Sequence, residues 1–144
     1  MKIEKLNNYG IALLRVSLGV MFLAHSIVLK LFTFGLPDTA NFFVSVGLPG
    51  MLAYVTFAAE AIGGLLLVLG LYTRQVALLL TLPLIGAIIW VHGGNGWVFS
   101  APNGGWEYPL YLIVLCIAQA LLGEGAFSIS TQKTASHDNS ATHR

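Results

Sequence analysis

Four ionisable side chains at the centres and ends of apolar stretches could do chemistry in this chain. Glu60 is the single carboxylate within the apolar stretch 51–74, and His25 lies inside another apolar stretch. His92 and Glu107 border the loop between two further apolar stretches. A histidine can change its charge near neutral pH, and a carboxylate can accept hydrogen bonds or a proton. These residue types indicate a polar site enclosed by apolar elements.

The composition favours a membrane protein over a soluble one. The chain has 144 residues, of which 56% are hydrophobic and 9% charged, whereas soluble domains carry about 25% charged residues. The net charge of +1 and the lack of a basic patch give no case for binding nucleic acid. The single cysteine, Cys116, excludes an internal disulfide and a multi-cysteine metal site within one chain.

Four continuous apolar segments predict four membrane-spanning helices. A spanning helix needs about 17–25 residues, so the first two segments are long enough, the third is at the lower limit and the fourth is short. Continuous apolarity, rather than alternation, argues against the strands of a membrane barrel. We therefore predict an all-α integral membrane four-helix bundle over residues 1–130, with helices at about 10–34, 51–72, 76–92 and 108–123.

The segments outside the four helices carry their own signals. Residues 35–50 predict a short helix in the first outer loop, lying at the membrane interface, because Asp38 or Thr39 could cap it. Residues 93–107 hold two tryptophans, which commonly anchor a chain at that interface. The polar tail, 131–144, has no apolar period and is predicted to be disordered.

The distribution of lysine and arginine predicts an orientation. With four spans, Lys30 alone lies on the side that carries the 93–107 loop. The positive-inside rule then places both termini in the cytoplasm. The first helix carries Arg15 and no small-x-small cleavage site, so we expect it to be retained rather than removed as a signal peptide. The basic residues assigned to the cytoplasmic side are Lys2, Lys5, Arg15, Arg74, Lys133 and Arg144.

Helical spacing gives Glu60 a face of small and polar residues, shared with Thr56, Gly63 and Gly64. Small residues let helices approach closely in lipid, so the carboxylate should face another helix. At 1.5 Å per residue, His25 and Glu60 lie about 21 Å and about 18 Å from the cytoplasmic ends of their helices, which is nearly one level. The first helix carries a matching stripe at spacings of 4, 3, 4 and 4: Arg15, Gly19, Phe22, Ser26 and Lys30.

Three interpretations of Glu60 follow from this placement. It could be a structural strut joined to His25 or Arg15. It could form a site with His25 for a small polar head such as a quinone ring, with protons passing between them. It could also belong to a transport or proton path. His25 and His92 could also ligate a b-type haem. We disfavour this interpretation because His92 is followed by Gly-Gly and lies at the membrane interface, where histidine is common. No metal site is predicted.

Five segments together resemble the DoxX family of small membrane proteins. They are ALLRVSLGVMFLAHSIVLKL at 12–31, EAIGGLLLVLGLYTR at 60–74, HGGNGW at 92–97, GGWEYPLYLIVL at 104–115 and GEGAFSIS at 123–130. The resemblance implies a multi-pass four-helix bundle in the cell (inner) membrane of a prokaryote. The family takes its name from a small subunit of a thiosulfate:quinone oxidoreductase, and it has no agreed catalytic set, so no residue role carries over.

The best functional expectation is a quinone-linked redox accessory subunit with a polar pocket in the outer half of the bundle. Because the sequence has no evident flavin, iron–sulfur or copper motif, a partner subunit would supply the redox cofactor. We predict no intrinsic cofactor, a quinone as ligand, membrane lipids around the chain and a homo-oligomer as a further option. The alternative is a non-enzymatic scaffold or small transporter. The candidate pocket residues are Glu60, His25, Arg15, His92, Glu107, Tyr108 and Trp90.

Overall fold

The computed structural model describes residues 2–130, and within that range the chain is helical without a strand. Three helices are long and apolar enough to cross a membrane, and a further apolar helix is shorter. The prediction of an all-α membrane bundle with a short helix in the first loop is confirmed. The tail predicted over 131–144 lies outside the described residues. The helices are α1 (Ile3–Thr33), α2 (Leu36–Ser45), α3 (Met51–Leu69), α4 (Thr73–Asn95) and α5 (Glu107–Leu122).

The bundle has two distinct ends. The loop end is formed by α2 and residues 96–106, and the turn end by residues 70–72, the start of α1 and residues 123–130. At the turn end α3 stops because Gly70 adopts a left-handed conformation, with φ at 69°. The amide of Gly70 donates to the carbonyl of Leu67, and that of Leu71 donates to the carbonyl of Leu66, which is the Schellman arrangement of a helix terminus.

Helices α1 and α3 cross in backbone contact at a pair of glycines. A Cβ placed on Gly19 would lie 2.7 Å from the carbonyl oxygen of Gly64, and one placed on Gly64 would lie 2.8 Å from that of Gly19. This is the close approach that small residues permit between membrane helices. The crossing aligns the loop-end halves of α1 and α3, so side chains further along both helices can meet.

Gly19→Ala should destabilise the bundle, because the added methyl group must displace the backbone of α3. Overpacking of a core typically costs about 1–3 kcal/mol. Gly10→Ala in the same helix is the matched control, since nothing lies within 4 Å of its added Cβ, and alanine favours the helix by about 1 kcal/mol. Thermal unfolding in detergent should show a lower Tm for Gly19→Ala and an unchanged or higher Tm for Gly10→Ala. Equal Tm values would contradict this crossing.

Helix α4 is interrupted at Leu80, which separates its α-helical parts Thr73–Leu79 and Thr81–Gly86. The sequence points to this break through Pro83, whose ring clashes with the carbonyl four residues earlier and whose nitrogen cannot donate. Beyond the break, α4 continues at the loop end as a π-helix over Ala87–His92. Helix α1 likewise becomes π-helical over Ala24–Thr33.

Candidate functional site

A cavity of about 950 Å³ opens at the loop end, bordered by all five helices. Ligand pockets typically span about 300–1,000 Å³ and combine an apolar lining with a few polar groups. Most of the lining here is apolar and aromatic. The ionisable and ring-bearing polar side chains among the lining residues are His25, Lys30, Asp38, Glu60, Trp90, His92 and Tyr108. The cavity therefore suits a molecule with a large apolar part and a small polar head.

The centre of the polar lining is an ion pair between Lys30 of α1 and Glu60 of α3. The Lys30 ammonium donates a hydrogen bond to Oε2 of Glu60. Their side chains are 18% and 8% exposed, so the pair lies in the bundle but borders the cavity. The sequence interpretation joined Glu60 to His25 or Arg15, and the structure corrects this: the partner of Glu60 is Lys30.

Lys30 was missing from the candidate pocket, although its position on the α1 stripe was a signal. Lys30 lies in the π-helical segment Ala24–Thr33, in which residue i bonds to i+5 and each residue advances by a smaller angle than in an α-helix. Side-chain hydroxyls satisfy neighbouring backbone groups there, as in the 2.8 Å bond from Ser26 to the carbonyl of Phe22. The second π segment, Ala87–His92, carries four more lining residues. Such segments occur frequently at functional sites.

The two described histidines lie in the cavity wall with one ring nitrogen fixed. Nδ1 of His25 lies 3.1 Å from the carbonyl oxygen of Met21, and Nδ1 of His92 lies 3.0 Å from that of Gly104. A carbonyl only accepts, so in each ring Nδ1 carries the hydrogen. In the neutral imidazole, Nε2 is then an acceptor. The His25 ring also stacks on Tyr108, with centroids 6.2 Å apart and planes at 22°.

Arg15 lies apart from the cavity, at the turn end, where it is completely buried. Its guanidinium donates to the last carbonyls of α3, those of Leu67 at 2.6 Å and Val68 at 2.8 Å. It also donates to the carbonyls of Glu124 at 2.7 Å and Ala126 at 2.9 Å. The sequence placed Arg15 in the candidate pocket, but the structure makes it a clamp between α3 and the segment after α5.

The remaining predicted site residues divide between the cavity and a neighbouring groove. Trp90 lines the cavity, whereas Glu107 lines a groove of about 910 Å³ on the other side of Tyr108. The Glu107 carboxylate accepts a 3.0 Å hydrogen bond from the backbone amide of Phe99. The structure thus brings five of the seven candidates to one cavity: Glu60, His25, His92, Tyr108 and Trp90.

The lining offers contacts for an organic molecule. Across residues 2–130, no group of three or more His, Cys, Asp or Glu side chains could hold a metal. The cavity provides a donor in Lys30 and aromatic rings in Trp90 and Tyr108, next to a long apolar wall. These features suit a molecule with hydrogen-bond acceptors on a flat ring and an apolar tail.

Comparisons with known proteins match one family model and two proteins of similar sequence. The DoxX family model matches residues 10–93. A Bacillus subtilis (strain 168) protein named "Putative oxidoreductase CatD" is 44% identical over 115 residues, which are 79% of this chain and 79% of that protein. A Haemophilus influenzae (strain ATCC 51907 / DSM 11121 / KW20 / Rd) protein named "Uncharacterized protein" is 31% identical over 131 residues, which are 90% of this chain and 95% of that protein. No solved structure matches the chain significantly.

Proposed function

The chain belongs to the DoxX family, and we propose that this membrane protein provides the quinone site of a redox complex in a prokaryotic cell membrane. The observation that carries the proposal is the Lys30–Glu60 pair at the edge of a large apolar cavity. The oxidoreductase name of the Bacillus subtilis relative supports the redox setting. The loop end faces outward in this proposal, as the lysine and arginine distribution predicts.

Each polar group around the cavity has a part in holding the quinone head. The Lys30 ammonium donates to a ring carbonyl oxygen of the quinone, while Glu60 keeps the ammonium in place and charged. Trp90 and Tyr108 contact the ring faces. The apolar lining, which includes Phe42 and Leu82, covers the tail. A neutral head is favoured over an anionic one, because Glu60 already compensates the Lys30 charge.

The redox step needs a partner. Reduction of a quinone to a quinol takes two electrons and two protons. A partner subunit with a flavin, iron–sulfur or copper centre supplies the electrons, and this chain handles the protons through His25 and the Lys30–Glu60 pair. The role is therefore that of an accessory subunit, which binds and orients the quinone for the partner's electrons.

Glu60→Gln tests the proposal by separating binding from folding. The Gln amide oxygen can still accept from Lys30, and the Lys30 side chain, 18% exposed at the cavity, keeps its ammonium within reach of water, so the Tm should change little. The quinone head loses the ordered, charge-compensated pair, and we expect quinone binding to weaken about 10-fold or more, which corresponds to about 1.4 kcal/mol. Titration of a short-tailed quinone by tryptophan fluorescence measures this, with Glu4→Gln in the exposed first turn of α1 as the control. Unchanged binding in Glu60→Gln would contradict the site.

A scaffold role is the second candidate, because the Lys30–Glu60 pair links α1 to α3. In that case the pair stabilises helix packing and the cavity holds no specific small molecule. The wild type would then bind no quinone, and a Glu60→Gln variant that keeps the hydrogen bond to Lys30 would be tolerated. The fluorescence titration of the wild type therefore distinguishes the two functions before any variant is made.

A further inference from the structure

His25 and Tyr108 form a partition between two spaces. Both residues line the cavity, and both also line the groove that holds Glu107. The stacked rings of His25 and Tyr108, 6.2 Å apart, thus separate the cavity from the groove. The groove is open at the loop end, where its members Trp97 and Phe99 are 50% and 63% exposed. A group in this partition can interact with both sides.

The opposite end of the bundle is closed to protons and water. On the side of the cavity that faces the turn end, the side chains of Leu18, Phe22 and Leu67 are at most 2% exposed. The backbone contact between Gly19 and Gly64 leaves no room between α1 and α3 at this level. Arg15 lies beyond these residues, and its guanidinium donates only to backbone carbonyls among the described contacts. Proton exchange with the cavity therefore has an open direction at the loop end.

Among the groups of the partition, the imidazole of His25 is the one that can both accept and release a proton. Its Nδ1–H is fixed on the carbonyl of Met21, so Nε2 is the nitrogen that takes up and releases the proton. The tyrosine hydroxyl loses its proton only near pH 10 in water. The charged and titratable groups that share the cavity or the groove with His25 are Lys30 on its own helix, Asp38 on α2, Glu60 on α3, His92 on α4, and Glu107, Tyr108 and Tyr111 on α5.

We propose that His25 is the proton-exchange group of the cavity and that it exchanges protons with the loop end only. This inference rests on the proposed quinone site. When the partner's redox centre delivers two electrons, each quinone carbonyl oxygen becomes a hydroxyl. One proton passes from the His25 imidazolium to the oxygen that it faces, and the Lys30–Glu60 pair gives the other proton to the oxygen that Lys30 binds. The neutral ring of His25 takes protons from water at the loop end, which replaces both. Quinol oxidation reverses both transfers, so the protons are exchanged at the loop end in either direction.

Access to the partition can be measured without a quinone. We would replace Cys116 with alanine and His25 with cysteine, and label sealed vesicles of each orientation with a membrane-impermeant maleimide. Cys116 is 0% exposed, so the wild type is the unlabelled control. We expect the His25→Cys thiol to react at least 10-fold faster than the wild type, and only when the loop end faces the reagent. Labelling from the turn end, or none in a folded variant, would overturn one-sided exchange.

Infrared difference spectra test the proton role of His25. They compare the protein with bound quinone before and after the quinone is reduced. The wild type should show imidazole bands that change with reduction. His25→Gln should lose these bands, since glutamine can keep the bond to Met21 but cannot exchange a proton, whereas His92→Gln should retain them. Bound quinone without imidazole bands would overturn the role of His25 alone. A wild type that binds no quinone would overturn the proposed function, while the maleimide result would still report on the partition.

Discussion

Arg15→Lys should be among the most destabilising single substitutions in this chain, although it conserves the charge. Arg15 donates to four backbone carbonyls, on Leu67, Val68, Glu124 and Ala126. The fork of a guanidinium reaches several acceptors at once, whereas an ammonium is a single point of donation on a flexible stem. Each buried carbonyl that loses its donor costs about 1–3 kcal/mol, so the loss of two or more donors should cost about 3 kcal/mol or more.

The free energy of unfolding in mixed micelles, obtained by denaturant titration, measures this loss. Arg74→Lys is the matched control. Arg74 is exposed and donates to the carbonyls of Ala120 at 2.9 Å and Leu121 at 3.0 Å, at the end of α5. Because water can replace these bonds, the control should lose about 1 kcal/mol or less. Comparable losses in the two variants would show that Arg15 is not a buried clamp.

Lys30→Met should have the second large effect, on stability and on ligand binding together. Removing one partner of a buried ion pair leaves the other charge uncompensated, which typically costs about 3–5 kcal/mol. The carboxylate of Glu60 borders the cavity, where water can reach it, so a value near the lower end of that range is expected here. Quinone binding should be lost as well, since Lys30 is the donor to the quinone carbonyl.

The double variant Lys30→Met, Glu60→Met separates the two effects. Replacing a whole buried pair by apolar residues is often neutral or stabilising, so the free energy of unfolding should return towards the wild-type value. Quinone affinity should not return, because the donor is still missing. If the double variant bound quinone as well as the wild type does, the ion pair would be a strut and not part of the site.

Much of the fold could be predicted from the sequence because its signals are local and strong. Continuous apolar runs define the spanning helices, and Pro83 marks the break in α4. The end of α3 at Leu69, rather than near residue 72, comes from the left-handed conformation of Gly70. The early start of α1, at Ile3 rather than near residue 10, has no such signal. Its first turns are polar and exposed, and hydropathy cannot distinguish a polar helix from a polar coil.

The site was only partly predictable, for a physical reason. Depth counted along ideal helices places His25 and Glu60 at one level, and the structure has both on the cavity wall. The same count cannot choose the partner of Glu60, because it follows the backbone and ignores the reach of a side chain. Lys30 lies about 7.5 Å beyond His25 along an ideal helix, yet its long side chain reaches Glu60. Arg15 was misassigned because charge alone suggested a pocket, whereas its bonds are to carbonyls at a helix end.

The most direct test of the central claim is mass spectrometry of the small molecules that co-purify with the wild type and with Glu60→Gln in mild detergent. The proposed site predicts about one quinone per chain in the wild type and its loss from a Glu60→Gln protein that keeps its Tm. A folded wild type that carries no quinone, and takes up none when one is added, would contradict the quinone site and leave the Lys30–Glu60 pair as a structural link between α1 and α3.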